Sequence, residues 1–358
     1  MSSRSVSIVV LIASLLVAAC GPASGSGAPS AGGSTAPSAP TSGGPSQSGG
    51  SGQPKTALSV GLGYIPSVQF APFYLAEQNG YYDQAGLDVT FRHGTDYDVI
   101  ALVGEGDLDL GLADGTSVIP AVSNGIPVKY IATIYGLFPS IVFAKASSGI
   151  AAPKDLQGKK LGIPGKYGSS WIMLQALLDS AGLTPDDLHI VEYPDYGQGA
   201  AVTAGAVDAA TGFRNNEPVQ LRLTGAQVNV LTVDAITPLP GNGLIAGTKA
   251  IESKADALRG FIAATLQAMA EIKAKPEVGL DAAIKQVPDL ASARDAQAAI
   301  LDATIEVWSG PAQQAHGLGA IEPSDWQKSV NYLTTLDLVP KPVKPEDLVD
   351  TSLLPTGG

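Results

Sequence analysis

The 358-residue chain carries a single cysteine, Cys20. That excludes an internal disulfide, a thiolate metal site and a cysteine-pair redox centre. Its three histidines, His93, His189 and His316, lie far apart and fit no HExxH-type spacing, so no metal site is expected. Cations are scarce: 21 Lys plus Arg face 33 Asp plus Glu, a formal net charge of -12. Sequence-independent nucleic-acid binding needs clustered cations that displace phosphate counterions, and this charge balance speaks against it. Electrostatic docking on anionic lipid is disfavoured for the same reason. No Gly-x-Ser-x-Gly elbow is present, and no serine has an evident histidine partner. Gly61-x-Gly63 lacks the third glycine and the later spacing of a dinucleotide fingerprint. Asp107 and Asp109 read as a solvated turn rather than an acid–base couple.

What is present divides at about residue 54. Residues 1–19 read as a secretory signal, with Arg4 as the only charge and an apolar run from Val6 that is too short to span a bilayer comfortably. The run ends in Val17-Ala18-Ala19-Cys20, which resembles a bacterial lipobox, although leucine is commoner than valine at its first position. Acylation of Cys20 would bury ~0.8 kcal/mol per CH2 and hold the protein on a membrane. Residues 21–54 contain 10 Gly, 9 Ser and 6 Pro with no charge and no aromatic. Such a stretch cannot offset its chain entropy by burial, and it reads as a tether with a mean reach of roughly 30 Å. Without residues 1–19 the charge becomes 20 - 33 = -13.

The remaining 358 - 54 = 304 residues are rich enough in apolar side chains, 45% over the whole chain, to bury a sizeable core. Strand and helix signals alternate. Strands are expected at 57–63, 87–91, 108–112, 128–135, 140–145, 160–163, 189–193, 207–210, 228–233 and 243–248, with helices between them. Asp96 is expected to cap the helix that follows it, as are Thr116 or Ser117 and Ser169 or Ser170. After residue 248 the chain turns helical, at about 255–274, 277–287, 291–308 and 324–336. Leu258, Ile262, Leu266, Met269 and Lys273 mark a helical period expected to face a core. The class is α/β with largely parallel strands and a helical tail.

Four ordered stretches carry a resemblance. They are Ala71-Pro72-Phe73-Tyr74-Leu75-Ala76 with Gly80-Tyr81-Tyr82 and Ala85-Gly86-Leu87-Asp88-Val89; Pro153-Lys154-Asp155-Leu156-Gln157-Gly158-Lys159-Lys160-Leu161-Gly162; Gly168-Ser169-Ser170; and Gly205-Ala206-Val207-Asp208-Ala209-Ala210. Together they resemble the substrate-binding proteins of ATP-driven importers in the subfamily named for fungal thiamine-pyrimidine synthases. The resemblance implies a type II periplasmic-binding-protein-like fold: two lobes, two crossing strands at about 139–145 and 240–248, and a ligand trapped between the lobes by hinge closure. Lobe one would be 55–141 plus 246–358, and lobe two 142–245. It also implies an ABC permease as partner, an outer-face membrane location through the lipid anchor, a monomer, and no cofactor. The fungal synthases contain a cysteine-rich stretch; this chain has no cysteine after Cys20, so catalysis is not expected.

The loops expected at the cleft concentrate aromatic residues. Tyr64, Phe70, Tyr135, Phe138, Tyr167, Trp171, Tyr196 and Phe213 are eight of 21 aromatics in the chain. Aromatic walls suit a planar heterocycle, although Phe70 and Trp171 can equally pack beneath the loops. The candidate ligand-binding residues are Tyr64, Gln69, Asp114, Thr116, Tyr135, Phe138, Tyr167, Ser169, Ser170, Tyr196, Asn215, Asn216 and Glu217. Helix starts near Thr116 and Ser169 offer N–H groups to an anion such as sulfonate or nitrate. Carboxylates at Asp114, Asp195 and Glu217 oppose that reading. Asn215 and Asn216 offer donor and acceptor together, as the edge of a flavin or pyrimidine requires, or one of them caps a helix. The Asn-Asn-Glu-Pro and Tyr-Gly-Ser-Ser stretches resemble the riboflavin-binding lipoproteins of the family.

Overall fold

Two five-stranded sheets organise the molecule, a computed structural model that describes residues 54–355. The expected signal segment, Cys20 and all but the last residue of the expected tether lie outside the described residues. The first sheet has the order β2-β1-β3-β10-β4. Its strands are β1 (Thr56–Leu62), β2 (Leu87–His93), β3 (Leu110–Asp114), β4 (Val128–Thr133) and β10 (Asn242–Gly247). The second has the order β7-β6-β8-β5-β9. Its strands are β5 (Ser140–Lys145), β6 (Lys160–Ile163), β7 (His189–Glu192), β8 (Ala209–Phe213) and β9 (Val228–Leu231). Each sheet contains a parallel trio, and in each the strand by which the chain arrives from the other sheet runs antiparallel to its neighbours. That strand is β5 in one sheet and β10 in the other.

The helices follow in chain order. The first lobe's α/β units carry α1 (Ala71–Gln78), α2 (Tyr81–Gln84), α3 (Asp96–Glu105) and α4 (Gly115–Ser123). The second lobe carries α5 (Gly168–Asp179), α6 (Gln198–Ala204) and α7 (Glu217–Leu223). The tail comprises α8 (Thr248–Ser253), α9 (Ala255–Ala274), α10 (Pro276–Gln286), α11 (Arg294–Val307), α12 (Pro311–His316), α13 (Pro323–Thr335) and α14 (Pro345–Leu348). Thr95, not Asp96, caps α3: its hydroxyl accepts the Asp98 N–H at 3.2 Å from an extended backbone. Asp96 is instead the first residue of the helix, one position past the cap.

Burial explains the strand sequences. Every residue of β3 is buried, so both faces are covered and the alternation disappears. Edge strand β2 alternates between covered and uncovered positions. On α9 the buried stripe runs through Leu258, Ile262, Met269 and Ile272. Lys273, expected on that stripe, is exposed, because the 3.6-residue period carries the buried face to Ile272 instead. Phe261 anchors this stripe. Its ring stacks on Tyr82 at 4.8 Å and 3°, and lies 6.3 Å from Phe73.

The two passages between sheets touch backbone to backbone. Tyr135 N–H and Ile134 N–H, just past β4, both donate to the Asn242 carbonyl at the start of β10, at 2.8 and 3.0 Å. A Cβ on Gly241 would collide with the Tyr135 carbonyl, so only glycine permits this approach. The tail braces the same point: Leu137 N–H donates to the Val307 carbonyl of α11 at 3.0 Å.

Replacing Phe261 by Ala should cost about 3–5 kcal/mol of stability, since it opens a cavity between two rings in a fully buried site. Urea unfolding monitored by circular dichroism reads this directly. A loss below ~1 kcal/mol would remove Phe261 from the core account.

Candidate ligand-binding cleft

The carboxyl ends of the parallel strands of both sheets face a common cleft that contains about 900 Å3 of space, part of it open solvent. Loops after strands of α/β sheets gather at such ends because each parallel strand must hand the chain to a helix there. From the first lobe come Tyr64 after β1, Gln69 and Phe70 in the 3-10 turn Val68–Phe70, Asp114 at the end of β3, Tyr135 after β4, and Asn242. From the second come Tyr167, Ser169 and Ser170 at the start of α5, Tyr196 after β7, Gln198 on α6, Phe213, Asn216 and Glu217.

Tyr64 and Tyr196 meet across the cleft, ring centroids 4.9 Å apart at 76°. Tyr196 has φ 60, the left-handed region, which costs a non-glycine residue on the order of 1–3 kcal/mol and so marks a loop whose surroundings dictate its shape. His93 holds the Tyr64 backbone through Nδ1 at 3.0 Å, while its Nε2 pairs with the Tyr74 hydroxyl at 3.0 Å. Burial lowers the His93 pKa, so it serves there as a neutral imidazole. Burial also raises the Tyr64 pKa, with Glu217 nearby adding to the shift, so the phenol stays protonated.

Asn216 hydrogen-bonds Tyr64 with its side chain, and its Oδ1 accepts from Gln220 Nε2 at 2.8 Å. Glu217 accepts the Phe213 N–H at 2.9 Å and faces Gln198 Nε2 at 3.4 Å. Burial nevertheless pushes its pKa up to about 7. Gly212 must lack a side chain here, since a Cβ would lie 2.8 Å from the Glu217 carboxylate. Asp114 hydrogen-bonds Ser169 and the Asn242 side chain, and burial raises its pKa.

Ten of the thirteen candidate residues line the cleft: Tyr64, Gln69, Asp114, Tyr135, Tyr167, Ser169, Ser170, Tyr196, Asn216 and Glu217. Three stand off its wall. Thr116 is fully buried and donates to the Pro240 carbonyl at 3.0 Å. Phe138 packs in the core that joins α4 to α5. Asn215 is buried behind the wall, where its Nδ2 donates to Gln69 Oε1 and Thr304 Oγ1, both at 2.9 Å. It thereby ties the second lobe to the first lobe's 3-10 turn and to α11. The expected serine and threonine caps are also displaced: Asp114 and Tyr167 occupy the N-cap positions of α4 and α5. Ser169 Oγ instead pairs with Ser140 Oγ at 2.8 Å. Asp195 is exposed and accepts the Gly197 N–H at 3.1 Å, away from the wall. Gln198 and Asn242 line the cleft without having been singled out. Asn242 lies in a Gly-Asn-Gly stretch that reads as a turn, and Gln198 follows Tyr196-Gly197 with no motif of its own. Among the described residues no Lys, Arg or His lines the cleft.

A two-lobed α/β fold with its cleft at the strand ends is the periplasmic-binding-protein-like fold. The aliphatic sulphonate binding protein SsuA of Escherichia coli shares this fold with a TM-score of 0.65, over 82% of this chain and 97% of that one, at 19% identity. The chain belongs to the NMT1/THI5 like family, whose pattern matches residues 67–278. The riboflavin-binding protein RibY of Chloroflexus aurantiacus is 32% identical over 84% of this chain and 86% of its own length. The formylaminopyrimidine-binding protein of Halalkalibacterium halodurans is 25% identical, covering 81% and 88%.

The raised Glu217 pKa has a consequence for stability. A carboxyl whose folded pKa is about 7, against 4.5 ordinarily, binds its proton more tightly when folded. It therefore favours the fold at low pH, and that contribution is lost as pH rises from about 4.5 through 7. Asp114, also raised, acts in the same direction. Glu217→Gln should flatten the fall in stability over this window. An unchanged slope in denaturation at pH 5 and pH 8 would contradict the buried-carboxyl account.

Proposed function

We propose that this protein is the extracytoplasmic solute-binding component of an ABC importer and that it captures a small aromatic heterocycle, riboflavin first and a thiamine-precursor pyrimidine second. The observation that carries the reading is the make-up of the cleft wall: four tyrosines and two carboxylates, with no cationic side chain among the described residues. Tyrosine faces suit a planar ring, and each aromatic pair adds ~0.5–1.5 kcal/mol beyond area burial. An alkylsulfonate or nitrate would instead need a cation or free donors, and would meet Asp114 and Glu217. The names of the two relatives above support the same ligand class. Binding without catalysis is preferred because the chain has no cysteine beyond Cys20.

The lobes of this reading are 55–141 plus 246–358 and 142–245, supported by the division of β1–β4 with β10 from β5–β9. They close as a hinge on the ligand, and the closed form is what the permease recognises. The protein works as a monomer, without a cofactor, held on the outer face of the cell membrane by acylated Cys20. Among the described residues no helix is long and apolar enough to cross a membrane.

Riboflavin added to the protein should quench flavin fluorescence saturably. Asn216→Ala should weaken binding by about 1–3 kcal/mol through a lost polar contact, and Tyr64→Ala through lost stacking. Asn215→Ala, behind the wall, should act on stability more than on affinity. Saturable binding of an alkanesulfonate with no response to any flavin or pyrimidine would refute the ligand class. On the anchor, Cys20→Ser should release mature protein from the membrane. Retention of the mutant after a salt wash would refute lipidation at that position.

A further inference from the structure

Glycines make room on the cleft wall for one polar pair. Gln198, the first residue of α6, donates through Nε2 to Oε1 of Glu217, the first residue of α7, at 3.4 Å. A Cβ on Gly162 would lie 3.1 Å from the Gln198 Cβ, and one on Gly199 would lie 3.1 Å from the Glu217 Cγ. A Cβ on Gly212 would lie 2.8 Å from Glu217 Oε2. That oxygen accepts the Phe213 N–H at 2.9 Å, so the carboxylate is itself held in place. Both members of the pair line the cleft.

The pair leaves one group over. Gln198 is 1% exposed, and its Oε1 is shielded from water with no hydrogen-bond partner among the described residues. A buried amide oxygen has lost its hydration, and only a donor makes that good. Turning the amide over gives no relief, because its oxygen would then face a carboxylate oxygen of ionised Glu217. Glu217 thus fixes the nitrogen, and the oxygen is left to whatever occupies the cleft. Asn242, on β10 in the other lobe, repeats the pattern on the same wall: its Oδ1 also has no partner among the described residues.

We propose that Gln198 is a specificity-determining residue whose Oε1 accepts an N–H from the ring of the bound ligand. The inference rests on the reading of the cleft as the site of an aromatic heterocycle. It deepens that reading by requiring a ring that carries an N–H on the edge turned to α6. An oxidised flavin has one such group, N3–H between two carbonyls, and a 4-aminopyrimidine has its exocyclic amine. An alkanesulfonate or nitrate has none. Tyr196 stands two residues before Gln198 on the same wall, so a ring seated against that tyrosine turns an edge toward the start of α6.

Riboflavin and its N3-methyl derivative are titrated against the full mature chain, Gln198→Met and Gln198→Ala. The titrations run at pH 8, where Glu217, with its pKa of about 7, is mostly the carboxylate that holds Gln198 Nε2. 4-Aminopyrimidine and 4-dimethylaminopyrimidine form a second pair, and the pair whose N–H ligand binds the tighter decides. The wild type should bind the N–H ligand about tenfold or more tightly than its methylated partner. A folded Gln198 variant should bind the N–H ligand about tenfold more weakly and keep less than about a threefold preference. The wild-type comparison needs no variant, so the proposal stays open to refutation even where neither variant folds. Equal wild-type affinity for both members of the deciding pair overturns it. So does a preference that persists undiminished in a folded variant, since the N–H is then read elsewhere or the methyl group merely clashes. Riboflavin binding without an N3–H preference leaves the ligand class standing and removes Gln198 from it. Binding of no flavin and no pyrimidine overturns both readings.

Discussion

The first sheet is completed only when the chain comes back to it. β3 and β4 never pair with each other; β10 lies between them and hydrogen-bonds both. Without β10 the facing edges of two largely buried strands would leave backbone donors and acceptors unmet, at a cost no folded core tolerates. The second lobe is therefore an excursion that must leave and re-enter beside the same edge. The outgoing and returning segments are forced together, and Gly241 lets them touch. A cleft between two lobes joined by two adjacent passages follows from that constraint.

The same constraint decides what lines the cleft. Both passages meet beside the strand ends, with Tyr135 and Asn242 on the cleft wall, and the strand ends of the two sheets face each other there. Loops far apart in the chain are thereby brought together. Tyr64 meets Tyr196, Asp114 meets Ser169, and Asn215 reaches Gln69 and Thr304. These cross-lobe contacts use tyrosines, amides and hydroxyls. The charges present are carboxylates that burial drives toward the protonated form. Such a wall reads its ligand through ring faces and hydrogen bonds rather than through opposite charge. The acidic balance of the whole chain is consistent with that local chemistry.

The tail belongs to this architecture too. α9 and α10 cover the first lobe through Phe261 and the α1 face, while α11 reaches the 3-10 turn, α7 and the outgoing passage. A helix that touches both lobes beside the hinge limits how the lobes can turn. The buried Asn215 bonds bind it there, and the amide's Oδ1 finds no partner among the described residues.

The sequence by itself determined the alternation of strands and helices, the helical tail, the aromatic and acidic character of the cleft loops, and most of the residues on its wall. Those features are local: burial on both faces, helical period and loop composition leave their mark within a few residues. Ordered motifs added the family. Only the tertiary structure decided which polar residues serve the cleft and which serve the frame. Asn215 and Asn216 are neighbours in a turn, yet one is swallowed between lobes and the other faces the cavity. Thr116 looks like a cap but anchors the returning segment, and Asp114 caps a helix more than fifty residues away rather than its own. A side chain's partner across the hinge is set by how the two sheets are brought together, and no spacing along the chain encodes that distance.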